Sequence, residues 1–130
     1  MTGYVADTSI FVAAEQRREL GHAPSGQGRI SVATLTELGV GVRRASNSDA
    51  HQTRALTLEF ARRYIALPLD ERVAEHLADI LAAGRTQKRR AGAMDAIIAA
   101  TALAHDLTVW TQDDDFDVLA ELAPDLRVHR

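Results

Sequence analysis

Five acidic residues sit beside apolar segments, where a carboxylate is expensive. Asp7 closes the run Tyr4-Val5-Ala6, and Glu37 lies in Thr34-Leu35-Thr36-Glu37-Leu38. Asp95 opens Ala96-Ile97-Ile98-Ala99-Ala100, and Asp113 and Asp115 follow Thr108-Val109-Trp110-Thr111. A carboxylate removed from water needs a partner, and a divalent cation is a natural partner for several at once. Hydrolysis of a phosphodiester needs an activated water, a neutralised phosphoryl group and a stabilised leaving oxygen, all of which one or two Mg²⁺ or Mn²⁺ ions supply. Cysteine is absent and the histidines are scattered at positions 22, 51, 76, 105 and 129. An all-oxygen donor set of this kind favours Mg²⁺ or Mn²⁺ over zinc.

Each acid also has an ordinary explanation. Asp7 before Thr8-Ser9 could cap a helix, and Asp95 could favour a helix N-terminus through the macrodipole. Asp113 to Asp115 could be a solvated turn, and Glu37 could pair with Arg43 or Arg44. Spacing alone does not choose between these readings and a shared site. The same holds for Arg85, Lys88, Arg89 and Arg90, which could grip phosphates or line a solvated loop.

The elements that must carry these residues follow from hydrophobic periodicity. Strands are predicted at Tyr4-Val5-Ala6, Arg29-Ile30-Ser31-Val32, Ile65-Ala66-Leu67, Val109-Trp110 and Leu126-Arg127-Val128. Helices are predicted from Ser9 to Glu15 and from Leu35 to Arg44. Another, capped by Asn47 or Ser48, carries Leu56, Leu58, Phe60 and Ala61. A fourth, capped by Asp70 and stopped by Gly84, shows a stripe of Val73, Leu77, Ile80 and Leu81. Met94 to His105 is apolar on nearly every side and reads as a central buried helix; Val118 to Leu122 is a short last one. The segment Gly21 to Gly28 reads as a loop. Alternating strands and helices imply a parallel sheet with helices on both faces. Ligand sites then gather beyond the carboxyl ends of the strands, where Asp7 and Asp113 fall.

The chain of 130 residues, 46% hydrophobic and 25% charged, suits one soluble domain over residues 1–130. Disulfides and Cys-ligated metal sites are excluded, so the cytoplasm is the expected compartment. The start, Met1-Thr2-Gly3-Tyr4, lacks a leader pattern. The apolar run near Ala96 to Ala104 is too short to span a bilayer, so no membrane association is expected.

Four stretches, taken in order, resemble the PIN-domain ribonucleases, and among them the VapC-type toxins of bacterial toxin–antitoxin pairs. They are Val5-Ala6-Asp7-Thr8-Ser9, Thr36-Glu37-Leu38, Met94-Asp95-Ala96-Ile97-Ile98-Ala99-Ala100-Thr101-Ala102 and Thr111-Gln112-Asp113-Asp114-Asp115-Phe116. The resemblance covers nearly the whole chain. It implies a PIN-like three-layer α/β/α sandwich around a central parallel sheet. It also implies an acidic pocket of Asp7, Glu37, Asp95 and Asp113, with Asp7 and Asp95 as metal ligands, Glu37 and Asp113 beside them, and Asp115 in support. Which of Asp113 and Asp115 reaches the metal stays open. Thr8, Ser9 and Thr111 are expected as hydrogen-bond partners of these carboxylates.

The activity implied is Mg²⁺-dependent endoribonuclease cleavage by activated water, leaving a 5′-phosphate. The partners implied are an RNA substrate, a second copy in a homodimer, and a cognate VapB-like antitoxin. The antitoxin's C-terminal segment would lie in a groove, for which Phe11, Val12, Leu35 and Leu38 are candidates, with core packing the default for them. Two other classes compete: a non-catalytic PIN-like interaction module and a phospho-acceptor receiver-like domain. The receiver reading fits poorly, because the only lysine is Lys88.

Overall fold

The computed structural model of the protein describes residues 3–130; Met1 and Thr2, at the start read above as lacking a leader pattern, lie outside them. Five strands form one sheet: β1 (Gly3–Ala6), β2 (Gln27–Ser31), β3 (Ile65–Leu67), β4 (Thr108–Trp110) and β5 (Val128–His129). Their order is β3-β2-β1-β4-β5, and every neighbouring pair is parallel. The six helices are α1 (Thr8–Glu15), α2 (Val32–Arg43), α3 (Ser48–Ala61), α4 (Glu71–Thr86), α5 (Ala93–Ala104) and α6 (Asp115–Leu122).

Side chains alternate across a pleated sheet, and here that alternation divides the core in two. Val5, Leu67 and Val109 pack with the buried residues of α4, α5 and α6, among them Val73, Ile80, Ile98 and Leu119. Ala6, Ile30 and Trp110 face the other way, onto Ile10 and Phe11 of α1, Leu38 of α2 and Leu58 of α3. The result is the expected three-layer α/β/α arrangement. α5 is the most deeply packed helix, as its nearly uniform apolar sequence requires: Ala96, Ile98, Ala99, Ala100, Thr101 and Ala102 are all buried.

Helix starts follow capping chemistry. The side chains of Asp7, Ser31, Asn47 and Asp70 each accept a backbone N–H of the helix they precede, which satisfies donors left over by the first turn. Ser31 explains one departure from the predicted boundaries. Val32 was expected to end the second strand, but the cap on Ser31 starts α2 there, so Glu37 falls at mid-helix. Gly84 does not stop α4, which runs on to Thr86. α6 begins at Asp115, before the expected Val118, and the last strand is Val128–His129.

Leu81, predicted for the packed stripe of α4, is 47% exposed, and on α3 Leu56 is 66% and Phe60 46% exposed. The reverse applies to Phe11. It is buried against Phe60 and Tyr64 in edge-to-face pairs, so it belongs to the core and not to a groove. No helix among the described residues is long and apolar enough to cross a membrane.

Candidate active site

In this strand order the chain crosses from β1 to β2 and β3 on one side, then returns to place β4 on the other. The crevice beyond the carboxyl ends of β1 and β4 is therefore a topological switch point, the usual place for a site in an open parallel sheet. Asp7 follows β1 directly. Thr111 follows β4 directly, and Asp113 two residues later. Glu37 enters from the middle of α2 and Asp95 from the first turn of α5.

A hydrogen-bond network joins these junctions. The Thr111 hydroxyl donates to Asp7 Oδ2 at 2.9 Å, and the Ser9 N–H reaches the same oxygen at 3.4 Å. Thr111 Oγ1 in turn accepts the Asp113 N–H at 3.0 Å and lies 3.2 Å from Ser9 Oγ. With the threonine proton committed to Asp7, Ser9 is the donor in that last pair. Ser9 Oγ then accepts the Gln112 N–H at 2.9 Å. Thr8 Oγ1 donates to Glu37 Oε1 at 2.6 Å and lies 3.1 Å from Thr34 Oγ1. Thr8, Ser9 and Thr111 are thus carboxylate partners, as expected. Thr34 was missed; its place three residues before Glu37, on the same helical face, was the available signal.

The acids feel one another. Asp95 is pushed up to about 7, first by burial and then by the negative charges of Asp7, Glu37, Asp115 and Asp113. Glu37 is raised by burial, and by Asp7 and Asp113, against the lowering effect of the Thr8 hydrogen bond. Asp113 is raised by burial and by Asp7, Asp115 and Asp114, while Arg18 pulls it down. Asp7 itself is 1% exposed. The structure thus brings all five predicted acids into one electrostatic neighbourhood. It does not bring them into ready coordination: among the described residues, no three His, Asp or Glu side chains stand close enough to share an ion. Asp113, Asp114 and Asp115 are exposed.

The ordinary explanations divide. Asp7 does cap α1, and Asp95 does lie in the first turn of α5. Glu37 makes no ion pair with Arg43 or Arg44; Arg43 instead donates to the Gly39 carbonyl at 3.1 Å. Two cations near the acids were also missed. The Arg18 charge pulls Asp113 down, and Arg130 donates to the Asp113 carbonyl at 3.4 Å, lies 3.6 Å from Asp114 and bonds Asp117. No local sequence signal announces either.

A groove of about 460 Å³ opens beside Glu37, lined by Thr8, Val12, Leu38, Gly41, Arg44 and Arg54 among others. Val12 and Leu38 thus do border a groove, while Leu35 packs against the core.

Two curated proteins of Mycobacterium tuberculosis are similar over most of the chain. Ribonuclease VapC4 is 38% identical over 119 residues, covering 91% of this chain and 92% of its own. Ribonuclease VapC5 is 39% identical over 116 residues, covering 88% and 86%. Among solved structures, a member of the VapBC family of toxin–antitoxin systems from the same organism, VapBC-5, superposes with a TM-score of 0.88 at 34% identity, covering 100% of this chain and 99% of that one. FitAcB from Neisseria gonorrhoeae gives 0.70 at 28% identity, covering 98% and 96%. The PIN domain model matches residues 4–122. This match removes the receiver-like alternative, and the chain belongs to the PIN domain family, among its VapC-type members.

Proposed function

We propose that the protein is a Mg²⁺- or Mn²⁺-dependent endoribonuclease and the toxin of a type II toxin–antitoxin pair. One observation carries the reading: four elements deliver carboxylates to the same crevice, so that Asp95 is raised to about 7 by burial and four acidic neighbours. Such mutual repulsion is costly and is relieved by positive charge. The relatives named as ribonucleases support the substrate class.

The donor set suits a hard cation. It is all oxygen, and Mg²⁺ needs only one or two carboxylates with waters completing its shell. Asp7 and Asp95 would hold the ion, with Glu37 and Asp113 beside it and Asp115 in support. When bound, the ion supplies a polarised water, neutralisation of the phosphoryl oxygens and stabilisation of the leaving oxygen. The protein groups do the rest. Thr111 and the Ser9 amide fix the Asp7 carboxylate. Thr8 fixes Glu37 Oε1, leaving Oε2 to accept a hydrogen bond from the attacking water. Asp113, whose amide is pinned on Thr111, would orient that water or complete the ion's shell.

Asp7→Asn and Asp95→Asn should each abolish Mg²⁺-dependent cleavage of RNA while circular dichroism shows the fold intact. Cleavage by the wild type in excess chelator would overturn the proposal.

The antitoxin half of the reading rests on VapBC-5 being a toxin–antitoxin assembly and on the groove that reaches Glu37. A VapB-like segment lying there would cover the acids, and a guanidinium on it would offset their charge. If a short open reading frame lies beside its gene, co-expression with that product should yield a complex that no longer cleaves RNA. A homodimer is part of the same reading, and a monomer mass by light scattering would remove it.

A further inference from the structure

A second groove, of about 580 Å³, lies between the C-terminal half of α4, the segment 87–92 and α6. Its floor is aliphatic, with Ile80 and Leu122 buried and Leu81 partly open. Its rim is cationic: Arg85, Lys88, Arg89 and Arg90. Four of the chain's 15 lysines and arginines fall within residues 85–90, on a molecule of net charge −3. Arg89 is engaged by Glu121 at 2.5 Å. Among the described residues, Arg85, Lys88 and Arg90 have no ion pair.

The backbone of the rim is set by the way α4 ends. Lys88 takes a left-handed conformation, φ 54°, as Arg17 after α1 and Asp106 after α5 also do, the common closure of a helix. The Arg89 N–H donates to the Gly84 carbonyl at 2.8 Å and the Lys88 N–H to the Arg85 carbonyl at 3.3 Å. The chain folds back so tightly that a Cβ at Gly84 would stand 2.8 Å from the Arg89 carbonyl oxygen. This is why α4 carries glycine in its last turn. The folded-back segment then leads into α5, and a Cβ at Gly92 would lie 3.7 Å from Asp95 Oδ2. The cationic rim and the acidic crevice are the two ends of one short stretch of chain.

A polyanion approaching five acids is repelled unless cations beside them hold its phosphates. We infer that this rim is a phosphate-binding track for the RNA strand flanking the bond to be cut. This rests on the endoribonuclease reading and adds to it a substrate-holding surface outside the acids. No aromatic ring lines the groove, so it grips the backbone without stacking bases and adds affinity without sequence selection.

The test is binding of a labelled RNA of about 20 nucleotides, in chelator so that nothing is cut, from about 50 to 200 mM salt. The triple variant Arg85→Gln/Lys88→Gln/Arg90→Gln should bind roughly tenfold more weakly at low salt. Its slope of log K against log salt should fall by about 2, the value for three lost contacts to a single strand. Gly84→Ala, which keeps every charge and displaces the rim, should also weaken binding. With Mg²⁺ present, both should raise KM more than they lower kcat. An unchanged slope and KM overturns the inference while wild-type cleavage leaves the nuclease reading standing. A wild type that never cleaves, yet binds RNA with the steeper slope, fails the nuclease reading and keeps the track. A polyglutamate peptide that binds the wild type as tightly as RNA does, and is lost in the triple variant, overturns the assignment to RNA.

Discussion

Thr111 Oγ1 spends its one proton on Asp7 and its lone pairs on the Asp113 amide and the Ser9 hydroxyl. Thr111→Val keeps the shape and deletes all three bonds. A buried carboxylate left short of a donor costs about 1–3 kcal/mol, which urea unfolding should report together with a fall in cleavage rate; Thr111→Ser should recover most of both. Asp95 makes a prediction about pH. Its carboxyl holds a proton more tightly folded than unfolded, with the folded value near 7 against an ordinary 3.8. The folded state therefore keeps the proton over a range where the unfolded chain has released it. In chelator, this contribution to stability is full below the unfolded value and is lost as pH rises to about 7, after which it is flat. Burial is partial, so the loss is on the order of 2 kcal/mol after screening. A urea midpoint that rises between pH 4 and pH 7 would contradict it. Added Mg²⁺ should restore stability at the alkaline end, because it favours the ionised form.

Helix ends show what sequence can and cannot announce. Asp70 caps α4 through a 3.0 Å bond to the Val73 N–H, and Asp70→Ala should lower stability by about 1 kcal/mol, read as a shift in melting temperature. Leu56→Ala on exposed α3 should stay within about 0.5 kcal/mol. The caps at Asn47 and Asp70 and the first four strands were legible, since they follow from side-chain chemistry and a period of two, although β2 starts at Gln27 inside the expected loop and β5 shares only Val128 with its predicted run. Ser31 was not, because Val32 has the β-branched side chain of a strand residue while the serine before it starts a helix. Nor were the outward-facing Leu56, Phe60 and Leu81, since periodicity marks an apolar stripe without saying what covers it. The acids show the same division. Periodicity placed each beside its element, but sheet order is not written in any local segment. Only the resemblance indicated that residues 7, 37, 95 and 113 would meet. Arg18 and Arg130 needed the three-dimensional arrangement itself.

In the whole molecule, β1 lies at the centre of the sheet with β2 and β4 on either side, and Val5 and Val109 are fully buried. Their amides should exchange with deuterium only through global unfolding, while the exposed segment 21–23 should exchange within seconds. Equal protection of the two regions would speak against this central position. The same order of strands has a consequence for synthesis. Asp7 leaves the ribosome early, but the threonine that aims it arrives more than a hundred residues later. A nascent chain shorter than that carries its first acids without the strand that arranges them. The crevice is therefore assembled only after residue 111 has been made, and any chain stopped short of it lacks the bond that aims Asp7.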